Sequence, residues 1–319
     1  MRYISSWHAR TDPSFLHFAK PHGTPLRVTS ANGHAPAPGL FYGTAWKEDR
    51  TAALTESALR AGFRAIDTAN QRKHYFEAAA GEGIAAAYRA GIVKRQDLFL
   101  QTKFTYRRGQ DHRLPYDPSA RLPVQVNQSL SSSLEHLGAD YVDSLLLHAP
   151  SSIDEWTDTD AEVWEALLRE KTAGRTCAVG VSNVSLRHLE QLDASHGEGP
   201  AFVQNRCFAR FGWDRDVRLF CEARNIGYQG FSLLTANRDV LASPFIAELA
   251  TRTQSTPAQV IFGFARAVGI IALTGTSNPE HMAQDLGSDR LELSVDDVTA
   301  IEHIAGWHSA GSTCDIVAP

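Results

Sequence analysis

A closed (β/α)8 barrel is the fold class that this 319-residue chain predicts. Eight short β-rich apolar runs begin near Gly39 (GLFYGTA), Phe63 (FRAIDTA), Leu98 (LFLQTKF), Asp143 (DSLLLHA), Cys177 (CAVGVSN), Ala201 (AFVQNRC), Gly227 (GYQGFSLL) and Ile270 (IIALTG), 24 to 45 residues apart. Each gap suits a helix and two loops, and near-continuous apolar strands alternating with helices argue a parallel sheet covered by helices. Eight such units in about 280 residues fit a closed barrel. The competing architecture, an open doubly wound sheet, would carry G-x-G-x-x-G after its first strand, and none stands there.

The elements follow in order. Residues 1–37 contain Pro, His and Gly, are weakly periodic, and read as an extension that wraps or caps the body; residues 38–319 show no further boundary and read as the barrel. Val126, Leu130, Leu134 and Leu137 form one apolar stripe of a helix that Gly138 is placed to cap. Leu186, Leu189 and Leu192 share a face after Ser185, a candidate N-cap. Thr256, Pro257 and Gln259 make a capping-box start, and Ser294 with Asp297 repeats the device. The stretch 109–123 after the third run is long, polar and Pro-containing, and long loops at the C-terminal face of a barrel usually line the active site.

Composition narrows the function. The hydrophobic and charged fractions, 43% and 21%, are those of a globular protein, and the net charge of −5 argues against a nucleic-acid partner. No run of apolar residues is long enough to predict a membrane span, and the first twenty or so residues lack a secretory apolar core. The four cysteines, Cys177, Cys207, Cys221 and Cys314, have no CxxC spacing and read as reduced thiols of a cytosolic protein. No H-E-x-x-H occurs, and His281, His303 and His308 lack ligand spacing, so no metal is expected.

Asp67, Lys103 and His148 each close a run that otherwise reads as a buried strand, and Asn183, Asn205 and Ser232 also sit at run ends. In a barrel those ends share one face. With Tyr75 of NQRKHY nearby, an acid, a lysine, a histidine and a phenol would converge, which is a proton-transfer site and favours an enzyme over a binding module.

IDTA, LQTKF, LLLHAP, GVSN, VQNR and GFSLL, in this order over roughly residues 38 to 305, resemble the aldo-keto reductase superfamily. The resemblance implies a barrel that binds a nicotinamide cofactor without a Rossmann fold and reduces an aldehyde or ketone. A phenol with an ordinary pKa near 10 is a weak acid, and a lysine ammonium beside it would lower that value. Lys103 would do this for Tyr75, Asp67 would hold Lys103, and His148 would donate a hydrogen bond to the carbonyl oxygen. The departure lies at the tyrosine. The family's usual position, five residues after the aspartate, is Arg72, and Tyr75 follows an apparent three-residue insertion, with His74 the alternative acid.

By the same resemblance Ser182, Asn183 and Gln204 hold the nicotinamide carboxamide, Phe231 stacks on the ring, and Ser232 and Leu233 line the pyrophosphate path. Gly275, Thr276, Ser277, His281 and Asp285 fall where the adenosine phosphate is cradled, with Gly275 in place of a lysine and His281 in place of an arginine. NADPH is therefore the expected cofactor with weakened selectivity, and NADH stays open. Trp46, Tyr106, Phe208, Trp213 and Trp307, with Trp156 and Phe211, are candidate walls for a bulky, partly apolar carbonyl. No arginine cluster marks a carboxylate pocket. Two other functions fit the same residues: a nicotinamide-nucleotide-binding barrel that serves as a sensor or subunit, and a non-redox acid–base enzyme.

Overall fold

A computed structural model describes residues 37–195 and 197–305. The extension expected over residues 1–37, save Ala37, lies outside the described residues, as do Trp307 and Cys314. Eight parallel strands close on themselves in sequence order: β1 Leu40–Gly43, β2 Ala65–Asp67, β3 Phe99–Phe104, β4 Val142–Leu147, β5 Thr176–Ser182, β6 Phe202–Arg206, β7 Gly227–Phe231 and β8 Ile271–Thr274. All eight expected runs are strands. The helices that return the chain are α1 Thr51–Ala61, α2 Glu77–Arg89, α3 Leu122–Leu137, α4 Asp158–Thr172, α5 Leu186–Ser195, α6 Arg215–Ala223, then α7 Arg238–Leu241, α8 Pro244–Arg252 and α9 Pro257–Ala267 together after β7, and α10 Pro279–Gly287. A last helix, α11 Val295–Glu302, follows the barrel.

The helix ends obey local chemistry. Gly138 closes α3 at φ 59°, a left-handed conformation that costs glycine little. Thr256 and Gln259 exchange the two bonds of a capping box at α9, and Ser294 and Asp297 do so at α11. Helix α2 comes so close to its neighbour that a Cβ on Gly81 would stand 1.8 Å from the His136 carbonyl oxygen.

Period-two alternation along the strands sorts the core into two layers. Phe41, Ala65, Phe99, Leu146, Ala178, Phe202, Ile271 and Leu273 form one cluster, the floor inside the barrel. Their chain neighbours Tyr42, Ile66, Leu100, Leu145, Leu147, Val179, Val203 and Ala272 belong to the larger cluster between sheet and helices. Counting on by twos from the floor therefore names the residues at the barrel mouth.

Candidate active site

From Ala65 the inward series reaches Asp67, from Phe99 it reaches Gln101 and Lys103, and from Leu146 it reaches His148. On the far side it runs from Ala178 to Ser182, from Phe202 through Gln204 to Arg206, through Gln229 to Phe231, and from Leu273 to Gly275. Most of these side chains meet in one cleft of about 950 Å³ at the C-terminal face, within the ~300–1,000 Å³ usual for ligand sites.

At its base Lys103 Nζ donates to Asp67 Oδ1 and Oδ2 at 2.7 and 2.8 Å and to the Thr68 carbonyl at 2.9 Å. Three acceptors match the three protons of an ammonium. Burial lowers the pKa of Lys103 and the adjacent Asp67 charge opposes that fall. Asp67 Oδ1 also accepts from Gln101 Nε2 at 2.7 Å and Gln204 Nε2 at 2.9 Å, and both amides donate to Gln229 Oε1. Three glutamines thus form a buried polar layer between the apolar floor and the ion pair.

Tyr75 reaches the same place from the insertion. The loop that carries it is pinned from outside: Gln71 Nε2 donates to the Gly109 carbonyl at 2.7 Å and Gln110 Nε2 to the Asn70 carbonyl at 2.8 Å, so the long 105–121 loop clamps residues 68–76. The Tyr75 ring centroid lies 5.3 Å from Lys103 Nζ and 5.8 Å from the His148 ring, edge-on to the latter. The ammonium faces the ring, and its three protons are spent on Asp67 and Thr68. Burial, then the Asp67 charge, raise the phenol's pKa, the reverse of the lowering expected from Lys103. Tyr75 therefore keeps its proton, the form a proton donor requires.

His148 is buried, and burial, then the positive fields of Lys103 and His74, push its pKa well below 6.5, so the ring is neutral. Its Nδ1 lies 2.7 Å from Thr105 Oγ1. Thr105 is 3% exposed, and among the described residues its hydroxyl has no other acceptor. A buried O–H seeks an acceptor, so it donates to Nδ1, which leaves the ring proton on Nε2.

The opposite wall carries amides. Asn183 Nδ2 donates to the His148 carbonyl at 2.8 Å and to Ser182 Oγ at 3.2 Å, and Ser182 Oγ donates to the Gln204 carbonyl at 2.7 Å. The amide nitrogens of Asn183 and Gln204 are thus committed to protein, and their carbonyl oxygens stand as hydrogen-bond acceptors for a ligand N–H. Phe231, Ser232, Leu233, Gly275 and Thr276 line the same cleft.

The remaining expected residues divide. Trp46 and Phe208 line the cleft, Trp46 stacked on His74 at 4.0 Å. Trp213 does not: left-handed backbone at Gly212, Trp213 and Asp214 turns its indole into the core, where it packs on Phe264 at 5.0 Å and donates to the Ile301 carbonyl. Tyr106 lies outside the cleft lining, its hydroxyl donating to Asp160 at 2.9 Å and tying the third loop to the start of α4. Asp285 is turned inward to accept from Thr274 Oγ1 at 2.7 Å, and Ser277 and His281 are exposed outside the cleft lining.

Five contributors went unnamed in the sequence: Gln101, Thr105, Gln229, Arg206 and Lys47. Gln101, Thr105, Gln229 and Arg206 all fall on the inward alternation. Lys47 does not, because it comes from the first loop, 7% exposed, with its ammonium donating to the Gly275 carbonyl.

This arrangement meets its relatives on several measures. The aldo/keto reductase family model matches residues 39–305. Human aldo-keto reductase family 1 member C3 is 28% identical over 278 residues, covering 78% of this chain and 81% of its own. Methylglyoxal reductase DkgB of Salmonella typhimurium is 30% identical over 256 residues, covering 80% and 88%. The crystal structure of an aldo/keto reductase from Brucella melitensis superposes with a TM-score of 0.72 at 27% identity over 86% of this chain and 98% of that one. An aldo-keto reductase complexed with NADPH shares the fold at a TM-score of 0.72 and 22% identity, over 87% of each chain. With the family match spanning every strand of the barrel, the chain belongs to the aldo/keto reductase family.

Proposed function

We propose that the chain reduces an aldehyde or ketone to an alcohol with NADPH, Tyr75 giving the proton. The observation that carries this reading is the meeting of Tyr75, the Asp67–Lys103 pair and neutral His148 at one end of one cleft, beside amide oxygens suited to a carboxamide.

The residues present fit the cofactor. Asn183 and Gln204 offer two acceptor oxygens to a carboxamide NH2, Ser182 adds a hydroxyl, and Phe231 gives a face for the ring. Ser232, Leu233 and Thr276 line the route for the phosphates. The Lys47 ammonium beside Gly275 supplies in space the cation missing from Gly275 in sequence, which favours NADPH over NADH. When bound, the reduced nicotinamide supplies the hydride. His148 Nε2–H donates to the carbonyl oxygen and orients it; one such donor is worth on the order of 3 kcal/mol in a transition state. Tyr75 passes its phenolic proton to that oxygen as negative charge develops there. Lys103, fixed by Asp67, sets a positive charge over the Tyr75 ring and steadies the phenolate left behind. Trp46, Phe208 and Phe211 give the substrate an apolar wall, suited to a bulky and partly apolar carbonyl. No described helix is long and apolar enough to cross a membrane, and we place the protein in the cytosol.

The test is oxidation of NADPH by the purified protein across a panel of aromatic aldehydes, followed by absorbance. Tyr75→Phe is expected to lower kcat by about 10²-fold or more with NADPH affinity unchanged. Full activity in that variant would remove the phenol from the mechanism. Tight NADPH binding without turnover of any carbonyl would favour the sensor or subunit reading.

A further inference from the structure

Arg206 is the last inward-facing residue of β6, at the same level as Lys103, His148, Ser182 and Phe231, and the reduction chemistry gives it no task. In the sheet register it stands opposite Phe231. Its guanidinium lies 5.7 Å from the Phe231 ring centroid and 5.9 Å from that of Phe208. Arg210 stands over the same Phe208 at 4.9 Å and over Phe211 at 4.7 Å. Arg206 and the three rings are thus interleaved along one wall, with Arg210 behind them.

Both guanidiniums are exposed, and among the described residues neither forms an ion pair with a carboxylate. Two acids stand on the same stretch. Asp214 is engaged inward, accepting from Asn205 at 2.9 Å and Tyr228 at 2.8 Å. Asp216 is exposed and lines the cleft without pairing with Arg206 or Arg210. A chain of net charge −5 thus keeps Arg206 without a carboxylate partner in the lining of its cleft, with Arg210 beside it on the Phe208 ring. A guanidinium beside phenyl rings still has its N–H groups to offer, and a planar guanidinium receives a carboxylate through two parallel bonds. The rings on either side suit an aromatic or aliphatic body attached to that carboxylate.

We infer that the carbonyl substrate carries a carboxylate, which Arg206 binds while Arg210 adds to the attracting field. The inference rests on the reductase reading. It assigns the anion to the substrate because the cation on the cofactor's phosphate side is Lys47, whose ammonium donates to the Gly275 carbonyl just past β8, two strands round the barrel from β6. Arg206 is thereby a specificity-determining residue, and the absence of an arginine cluster expected from the sequence is corrected: Arg206 and Arg210 are four apart in the chain and meet on one ring.

The test compares 4-carboxybenzaldehyde with benzaldehyde on the full chain with NADPH. The carboxylated aldehyde is expected to have the higher kcat/KM by about tenfold or more, as one charge-assisted bond provides. Arg206→Ala is expected to erase that preference through KM, with benzaldehyde turnover and NADPH affinity, read by protein fluorescence, each changed less than about threefold. Arg206→Lys should restore part of it, since the charge returns without the planar fork. Equal loss on both aldehydes, or no preference in the parent, overturns the inference. So does a tenfold weakening of NADPH binding by Arg206→Ala, which would make the anion the cofactor's phosphate. Titration of benzoate into the protein–NADPH complex reads the site without turnover. Failure of benzoate to bind overturns the inference even where benzaldehyde is reduced; benzoate binding that Arg206→Ala abolishes, with no aldehyde reduced, upholds the anion site and sinks the reductase reading instead.

Discussion

Replacing Asp67 by Asn tests whether the ion pair at the base of the cleft is held as the geometry implies. The side chains of Lys103 and Asp67 are 0% and 4% exposed. At 2.7 Å their gross attraction is about 6 kcal/mol for an effective dielectric of 20, and desolvation of two ions cancels most of it. The pair itself is thus worth little net, but breaking it strands a charge. In Asp67→Asn one carboxylate oxygen becomes an NH2, which would face Lys103 Nζ donor to donor. The expected loss of folding stability is about 3–5 kcal/mol. Adding Lys103→Met removes the stranded charge, while the remaining carbonyl oxygen of the new amide still accepts from Gln101 and Gln204. The double variant should therefore regain about half of that loss or more. The deficit of the single variant should also shrink with rising pH. With its partner gone, folded Lys103 sheds its proton below the ordinary 10.5 while the unfolded chain keeps it, so stability climbs by about 1.4 kcal/mol per pH unit in that window. Urea unfolding at pH 7 and pH 9 checks each step. A loss below about 1 kcal/mol for Asp67→Asn, or a double variant as unstable as the two singles summed, would refute the reasoning.

Further outcomes follow from the same contacts. Thr105→Val removes the hydroxyl that fixes the His148 tautomer and should lower kcat by about tenfold or more, whereas Thr105→Ser keeps it; the ring's nitrogen NMR shifts report the tautomer directly. Because the pKa of His148 is depressed, kcat/KM should show no limb near pH 6.5. Burying the neutral ring stabilises the fold above that pH, and this contribution is lost as pH falls and the unfolded histidine charges. Burial raises Asp285 to about 6, with the Thr274 bond opposing. The folded carboxyl holds its proton to higher pH than the unfolded one, so stability is lost as pH rises from 3.8 to about 6 and stays lost above. Asp285→Asn should therefore stabilise the protein by up to ~3 kcal/mol at pH 8 and by nothing below pH ~4, as measured by urea unfolding. Lys47→Ala should weaken NADPH binding by about tenfold and NADH binding by less, read by fluorescence titration.

The eight strands were legible because each is buried on both faces, and a doubly buried strand must read as an uninterrupted apolar run. Asp67, Lys103 and His148 were legible for the same reason: each is a polar residue that ends such a run. Gln101, Gln204 and Gln229 sit inside the barrel too, but a neutral amide within an apolar run carries no sign of its partners. Those partners are residues 25 to 137 positions away, brought together by closure of the sheet. Trp213 misled for a different reason. A tryptophan in a late loop looks like a pocket wall, and only three consecutive left-handed residues turn it inward, two of them at non-glycine positions that no turn signature marks. Lys47 and Gly275 show the limit from the other direction. A missing cation read along one strand need not be missing in space, because a neighbouring loop can deliver the charge from 228 residues earlier in the chain.

Arg206 shows how far the alternation carries once the floor of the barrel is fixed. Phe202 lies in that floor, Gln204 bonds to Asp67 one level up, and the next residue in the series must stand at the mouth. A lone arginine at a strand end looks like a solvated terminus in the sequence. Counted by twos from a floor residue, it comes out at the mouth of the cleft, whose lining includes it. The same count assigns Asn205 to the outer face, where its Nδ2 donates to the Val184 carbonyl at 2.7 Å and to Asp214 and its Oδ1 accepts from the Val184 amide. Both residues border the cleft, but the Asn205 amide is spent on Val184 and Asp214, whereas the Arg206 guanidinium is exposed at the mouth.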